Sequence, residues 1–506
     1  MLKFLLLSLF SVSAFGQTLC TPELATMPTL SGGRVKPLVV LAEETLRFVT
    51  GKTQFGDEPA TMTFCRLSFD AMGVASNIDL PVKIEHVDVK KLVDLTPGDD
   101  SMVASKLVNY SETLRMAYAG IKENNAYKKE INRVMNRLQT IDAVKGSQGW
   151  TLPEVQAGKV KWLPLGEFLT EQKIAVLKAQ SADPFALLFA NAKKDYIAAE
   201  GDTFMLEHTY HKARPFVWAL LLSVLALGLA FAVKAPWVGL SAAGLVLALE
   251  LAGMVLRIFI SGRAPITNMY ETVMFSGFGA LILSFVLMVW KKERLFLIGG
   301  LAYNVLCLMM MKFANNMLDP SISPLVPVLR DNFWLSTHVT TIILSYAALA
   351  LSWIIANVVL VRQTFKGSTS SETRTQMEQI YTCMKVGVVL LAAGIILGGV
   401  WADYSWGRFW GWDPKETWSL IVLLVYMAIL HGRYSNWITP VRFAPLAAGA
   451  FMSVMMAWFG VNYILASGLH SYGFSEGGAI FLGSFFAIQT GFLIFVVLKD
   501  RKAFFK

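Results

Sequence analysis

Cysteine and charge are both scarce in this chain of 506 residues. Its four cysteines, at 20, 65, 307 and 383, form no Cys-x-x-Cys pair and no Cys-x-x-Cys-His. The chain therefore carries neither a dithiol redox motif nor an attachment site of its own for c-type haem. A P-loop, a His-Glu-x-x-His helix and a cluster of metal ligands are also missing, so nothing points to nucleotide hydrolysis or zinc chemistry. Charged residues make up 16 % against 55 % hydrophobic, too apolar for a soluble protein of this length. What remains is a membrane protein. Its net charge of +9 is then read as cytoplasmic Lys and Arg, not as a nucleic-acid surface.

Hydropathy divides the chain in three. Residues 1–16 have one lysine, an apolar run and small residues at Ala14 and Gly16, the pattern of a signal peptide. Residues 17–213 contain no run of the roughly 20 apolar residues that a bilayer requires, and predict an external domain. Helical periodicity over Ser101 to Val144 and Glu167 to Glu200, with a break at Pro184, makes that domain helix-rich. Ser31 to Pro37, SGGRVKP, reads as a tight loop. Residues 214–506 hold nine apolar runs, at about 215–233, 236–258, 270–290, 295–313, 334–361, 384–402, 417–432, 443–466 and 478–498. The predicted fold is an all-α polytopic membrane protein with about nine transmembrane helices and an external N-terminal domain.

With the first domain outside, the inner connections and the tail carry 14 Lys and Arg. The outer connections carry six, Arg257, Arg263, Lys312, Arg330, Arg408 and Lys415. That bias obeys the positive-inside rule and orients the chain, whose expected location is a bacterial inner membrane. It also puts Trp401 to Trp418, WADYSWGRFWGWDPKETW, on the outer face.

This stretch gathers five of 14 tryptophans into 18 positions, split by Gly407 and Gly411. An interfacial aromatic belt explains single tryptophans at helix ends. It does not explain tryptophans alternating with glycine in a segment read as an irregular loop over 401–418. The end of the segment has its own signal, because Asp413, Pro414 and Glu416 match an N-cap, a first-turn proline and a capping-box glutamate. Asp413 thus has a sufficient structural role. Trp401, Trp406, Trp410 and Trp412, with Arg408 and Lys415 at the edge, suit a large planar ligand bearing carboxylates. A porphyrin is the commonest such molecule.

Six histidines occur, at 86, 208, 211, 338, 431 and 470. Those in the external domain are read as solvated residues. His338, near the outer end of the fifth run, and His470, just beyond the eighth, share the depth of the tryptophans. Each alone reads as an interfacial residue bonded to its neighbours. Two together beside an aromatic platform read as axial ligands of a haem iron. His431 lies 15 residues beyond Glu416, about 22 Å along a helix. It either snorkels to the inner surface or ligates a second haem there. Arg263, in SGRAPITNMYE, either meets a propionate or serves helix capping and packing.

WGRFWGWDPKETW, flanked by His338 and His470, resembles the signature of the haem-handling proteins of cytochrome c biogenesis. The chain is most similar to the CcsA subfamily, the tryptophan-rich half of the system II cytochrome c synthase. SGRAPITNMYE and SGGRVKP also resemble segments of that subfamily. The resemblance implies that haem b is received, held by His338 and His470 at the outer face, and joined to a Cys-x-x-Cys-His apocytochrome c. It makes His431 the inner transmembrane ligand and Trp406, Trp410, Trp412 and Asp413 part of the platform. It implies a ResB/CcsB-like membrane partner that supplies a further transmembrane histidine, and a thiol reductant system. Two other readings stay open: a haem exporter or chaperone without ligase activity, and a respiratory subunit with structural haem or quinone. By compartment, Cys20 with Cys65 is the only internal disulfide permitted.

Overall fold

Gly32 and Gly33 both have positive φ, 59° and 77°, as a two-residue hairpin turn with the right twist demands. They join β1 (Pro28–Ser31) to β2 (Arg34–Pro37), with Ser31 opposite Arg34. The segment read as a tight loop is therefore a hairpin. The computed structural model describes residues 20–73, 77–96, 98–122, 125–170, 184–314, 317–322, 331–366, 370–465 and 478–499. The signal-peptide assignment falls outside these residues. The chain divides into two compact units, residues 1–212 and 213–506.

In the first unit, helices Leu38–Thr50, Ala60–Ser68, Ala126–Lys145 and Pro184–Glu200 surround a core centred on Trp150. Trp150 is fully buried and stacks on Phe189 at 5.5 Å. Pro184 opens its helix, where the missing N–H leaves nothing unsatisfied. Two further antiparallel pairs are β3 (Pro81–Lys83) with β4 (Ser101–Val103), joined through the helix Val87–Leu92, and the hairpin β5 (Thr151–Gln156) with β6 (Lys159–Pro164). Ser101–Val103 is thus strand where periodicity predicts helix, because a partner 20 residues away decides the matter. Arg34 grips the buried Glu207 through two hydrogen bonds of 2.5 and 2.6 Å, a fork-to-carboxylate pairing. Cys20 and Cys65 form a disulfide with Cα atoms 5.8 Å apart.

In the second unit, nine helices among the described residues are long and apolar enough to cross a bilayer. Spans 1 to 9 are Pro215–Ala232, Pro236–Ser261, Met269–Lys291, Arg294–Phe313, Leu335–Phe365, Ser371–Trp406, Pro414–Tyr434, Pro440–Leu465 and Gly478–Lys499. The chain is an all-α polytopic membrane protein. Spans 5 and 8 are the most buried and span 9 the least. Span 6 differs most from its predicted extent of 384–402, starting earlier and running on to Trp406. Its added turns bury Gln376, Met377, Gln379 and Ile380, with Gln379 donating to Glu293 at 3.2 Å. They pack on protein instead of lipid, so a hydropathy window does not register them. Between spans 1, 2 and 4, Asn304 donates to Glu250 at 2.7 Å and to Ser223 at 3.2 Å. Such side-chain bonds join helices where no apolar contrast with lipid drives them together.

Candidate functional site

Residues 401 to 406 complete span 6 as helix, which corrects the expectation that the irregular segment begins at Trp401. Gly407, at φ +67°, breaks it, its N–H still bonded to the Asp403 carbonyl at 2.8 Å. The irregular part is residues 407–413, and span 7 then opens with the capping box that the sequence predicts. The Asp413 carboxylate accepts from Lys415 N at 2.9 Å, and Glu416 Oε2 accepts from Asp413 N at 3.2 Å. The same Glu416 oxygen accepts from Gly411 N at 2.7 Å. Trp412, between those two donors, sits at φ +56°, a strained conformation for a bulky residue that surrounding bonds must hold.

Beside this segment lies a cavity with a mainly apolar lining that opens to the surface. His338, Trp401, Trp410 and Lys415 line it, together with Phe409 and Trp458. The rest of the wall mixes aliphatic side chains, among them Ile266, Leu335, Ile342 and Ile343, with polar ones, among them Thr272, Glu416 and Asn462. Two π-helical turns flank the cavity, Leu335–Val339 carrying His338 and Met456–Leu465 carrying Trp458 and Asn462. π turns recur at functional sites because an extra residue per turn re-aims side chains. Asp331 caps the helical turn Asn332–Trp334 that leads into the first, its carboxylate accepting from Phe333 N at 3.0 Å and Trp334 N at 3.2 Å. Trp458 Nε1 donates to Thr272 Oγ1 at 3.2 Å, tying the second to span 3.

The half-buried His338 ring is held from span 6. Its Nδ1 lies 2.8 Å from the Gly394 carbonyl. A carbonyl only accepts, so Nδ1 carries the proton and the lone pair is on Nε2. The Trp401 ring stands 5.8 Å away at 59°. The site thus joins an imidazole of fixed tautomer, indole walls and a lysine in one apolar space. That donor set fits a flat, anionic, metal-centred molecule.

Other predicted site residues lie elsewhere. Trp406 and Trp412 do not line the cavity, and Trp412 is 70 % exposed, set edge-on to Trp410 with ring centroids 5.9 Å apart. Asp413 is buried at its cap. The Arg408 guanidinium passes over Gly411 and stands 3.8 Å from Glu416. Arg263 pairs with Glu271 at 3.7 Å and bonds Thr267, contacts that suit the packing alternative of its two readings. His431 is exposed in the last turn of span 7, its Nδ1 2.8 Å from the Met427 carbonyl. His470 lies outside the described residues. Phe409, inside the tryptophan-rich motif but not among its predicted ligand contacts, also lines the cavity, as do Gly398, Gly399, Tyr346 and Asn462, which belong to no motif.

The sequence profile of the family described as Cytochrome C assembly protein matches residues 266–470, within the second unit. A cytochrome c biogenesis protein CcsA of Guillardia theta is 37 % identical over 239 residues, covering 42 % of this chain and 78 % of that protein. CcsA of Prochlorococcus marinus subsp. pastoris is 36 % identical over 254 residues, covering 44 % and 79 %. Protein NrfI of Wolinella succinogenes is 35 % identical over 235 residues, covering 44 % of this chain and 25 % of NrfI. On this evidence the chain belongs to the cytochrome c assembly family, among its CcsA-type cytochrome c biogenesis proteins.

Proposed function

We propose that the cavity at the tryptophan end receives haem b as substrate and presents it to a Cys-x-x-Cys-His apocytochrome c, making the protein a subunit of a holocytochrome c synthase. The observation that carries this reading is His338, bonded through Nδ1 to Gly394 within an indole-walled apolar cavity. Imidazole Nε2 is a good iron ligand, and His470 is assigned the opposite axial position. Lys415 on the wall suits a propionate. Each addition joins a thiol sulfur to one vinyl carbon and places the thiol proton on the other. No net oxidation occurs, so a reductant system serves only to keep thiols and iron reduced before the step. The protein's own part is positional, holding the vinyl groups where the thiols attack.

The Lys and Arg bias supports placing the tryptophan end and the N-terminal domain outside a bacterial inner membrane. His431, with its lone pair on Nε2, is assigned to an inner haem whose second imidazole comes from a ResB/CcsB-like partner. The test is to purify the complex with His338→Ala or His470→Ala. Each variant is expected to lose haem absorbance and cytochrome maturation, with partial recovery in added imidazole. Normal maturation by both variants without imidazole would remove the ligand assignment.

A further inference from the structure

Spans 5 and 6 run antiparallel and meet through glycines of span 6. A Cβ on Gly387 would lie 2.5 Å from Leu349 Cδ2, and one on Gly394 2.6 Å from Ile342 Cδ1. The third contact in the series is of another kind. A Cβ on Gly398 would lie 2.5 Å from His338 Cε1 and 3.0 Å from Nδ1. The first two partners are aliphatic side chains of a close-packed seam, with the Leu349 and Ile342 backbone nitrogens next at 3.3 and 3.4 Å. The third is the imidazole itself.

Gly394 and Gly398 stand one helical turn apart, so the Gly394 carbonyl that accepts from His338 lies beside the position a side chain at 398 would occupy. That carbonyl has two lone pairs, one for the helix bond and one for the imidazole. We propose that Gly394 and Gly398 are positioning residues for His338: the carbonyl of one fixes the tautomer, and the bare Cα of the other gives the ring its place. The inference rests on the reading of His338 as a haem ligand. An outer-shell carbonyl at Nδ1 also raises the basicity of Nε2, and loss of such a partner typically weakens metal binding about 10–100-fold. Gly398→Ala displaces the ring from both contacts at once.

Two alanine variants separate positioning from packing. Gly398→Ala and Gly387→Ala put equally close contacts into the same helix pair, 11 residues or about 16 Å apart. In the full chain purified with its partner, Gly398→Ala should hold haem at least tenfold more weakly. Its low-spin absorption bands should be altered, and added imidazole should restore them in part. In haem-free protein the rate of carbethoxylation at His338 should change as well. Gly387→Ala should melt lower but keep the wild-type spectrum and His338 reactivity. A wild-type spectrum and affinity in Gly398→Ala, or an equal shift in Gly387→Ala, overturns the inference. If Gly398→Ala does not accumulate, His338→Ala/Gly398→Ala should, because the ring that clashes is gone. Failure of that double variant to accumulate also overturns it. His338→Ala, measured alongside, keeps the two ideas apart. Haem lost from His338→Ala but not from Gly398→Ala sinks the positioning alone, whereas haem retained in His338→Ala sinks the ligand reading with it.

Discussion

Asp413 and Glu416 cap the first turn of span 7 reciprocally, the aspartate accepting from Lys415 N and the glutamate from Asp413 N. Because Glu416 also accepts from Gly411 N, the pair brackets Trp412 in a conformation that costs an L-residue about 1–2 kcal/mol. Asn caps as well as Asp, whereas Ala forfeits about 1 kcal/mol. Asp413→Ala should therefore lower the thermal unfolding midpoint, and Asp413→Asn should match wild type in both midpoint and haem content. An Asp413→Asn protein of normal stability that has lost haem would give the carboxylate a role at the ligand.

Trp410 is half-buried on the cavity wall. Truncation of a fully buried aromatic costs about 3–5 kcal/mol, and a half-buried one less, while an aromatic exchange keeps most of the contact. Trp410→Ala should lose more haem per protein than Trp410→Phe when the pyridine haemochrome is measured. Equal losses would shift the role to the indole N–H.

Arg257 and Glu271 form a buried ion pair at 2.7 Å, and Glu271 accepts in addition from Thr267 N at 2.9 Å and Thr267 Oγ1 at 2.8 Å. Removing one partner of a buried pair strands the other charge, at about 3–5 kcal/mol. Glu271→Gln should accumulate poorly in membranes and unfold at a lower temperature. Arg263→Ala should reduce stability more than haem affinity, since its contacts are with Glu271 and Thr267. A selective loss of haem in Arg263→Ala would restore the propionate alternative.

His431 stands exposed at the far end of span 7. A six-coordinate inner haem needs a second imidazole there, which the proposed partner supplies. Spectra of the chain purified alone and with that partner should differ by one haem, and His431→Ala should abolish the difference. Unchanged spectra and maturation in His431→Ala would leave it a surface histidine.

The sequence by itself determined the nine spans, because in hydrocarbon every backbone polar group must be bonded internally and only long apolar helices achieve this at each crossing. It determined the start of span 7 for a local reason as well, since Asp413, Pro414 and Glu416 act within one turn. It also marked His338, Trp401, Trp410 and Lys415 as candidates. Tertiary structure alone decided that these four share a cavity and that Trp406, Trp412 and Arg263 do not line it. The same holds for the extension of span 6, whose polar turns are stabilised by contacts with Glu293 that no local pattern contains. The support of His338 shows why. Its hydrogen-bond partner is a backbone carbonyl 56 residues away, and a carbonyl is the same in every residue. Gly398 matters only through the space it leaves, which becomes legible once the packed neighbour is in place.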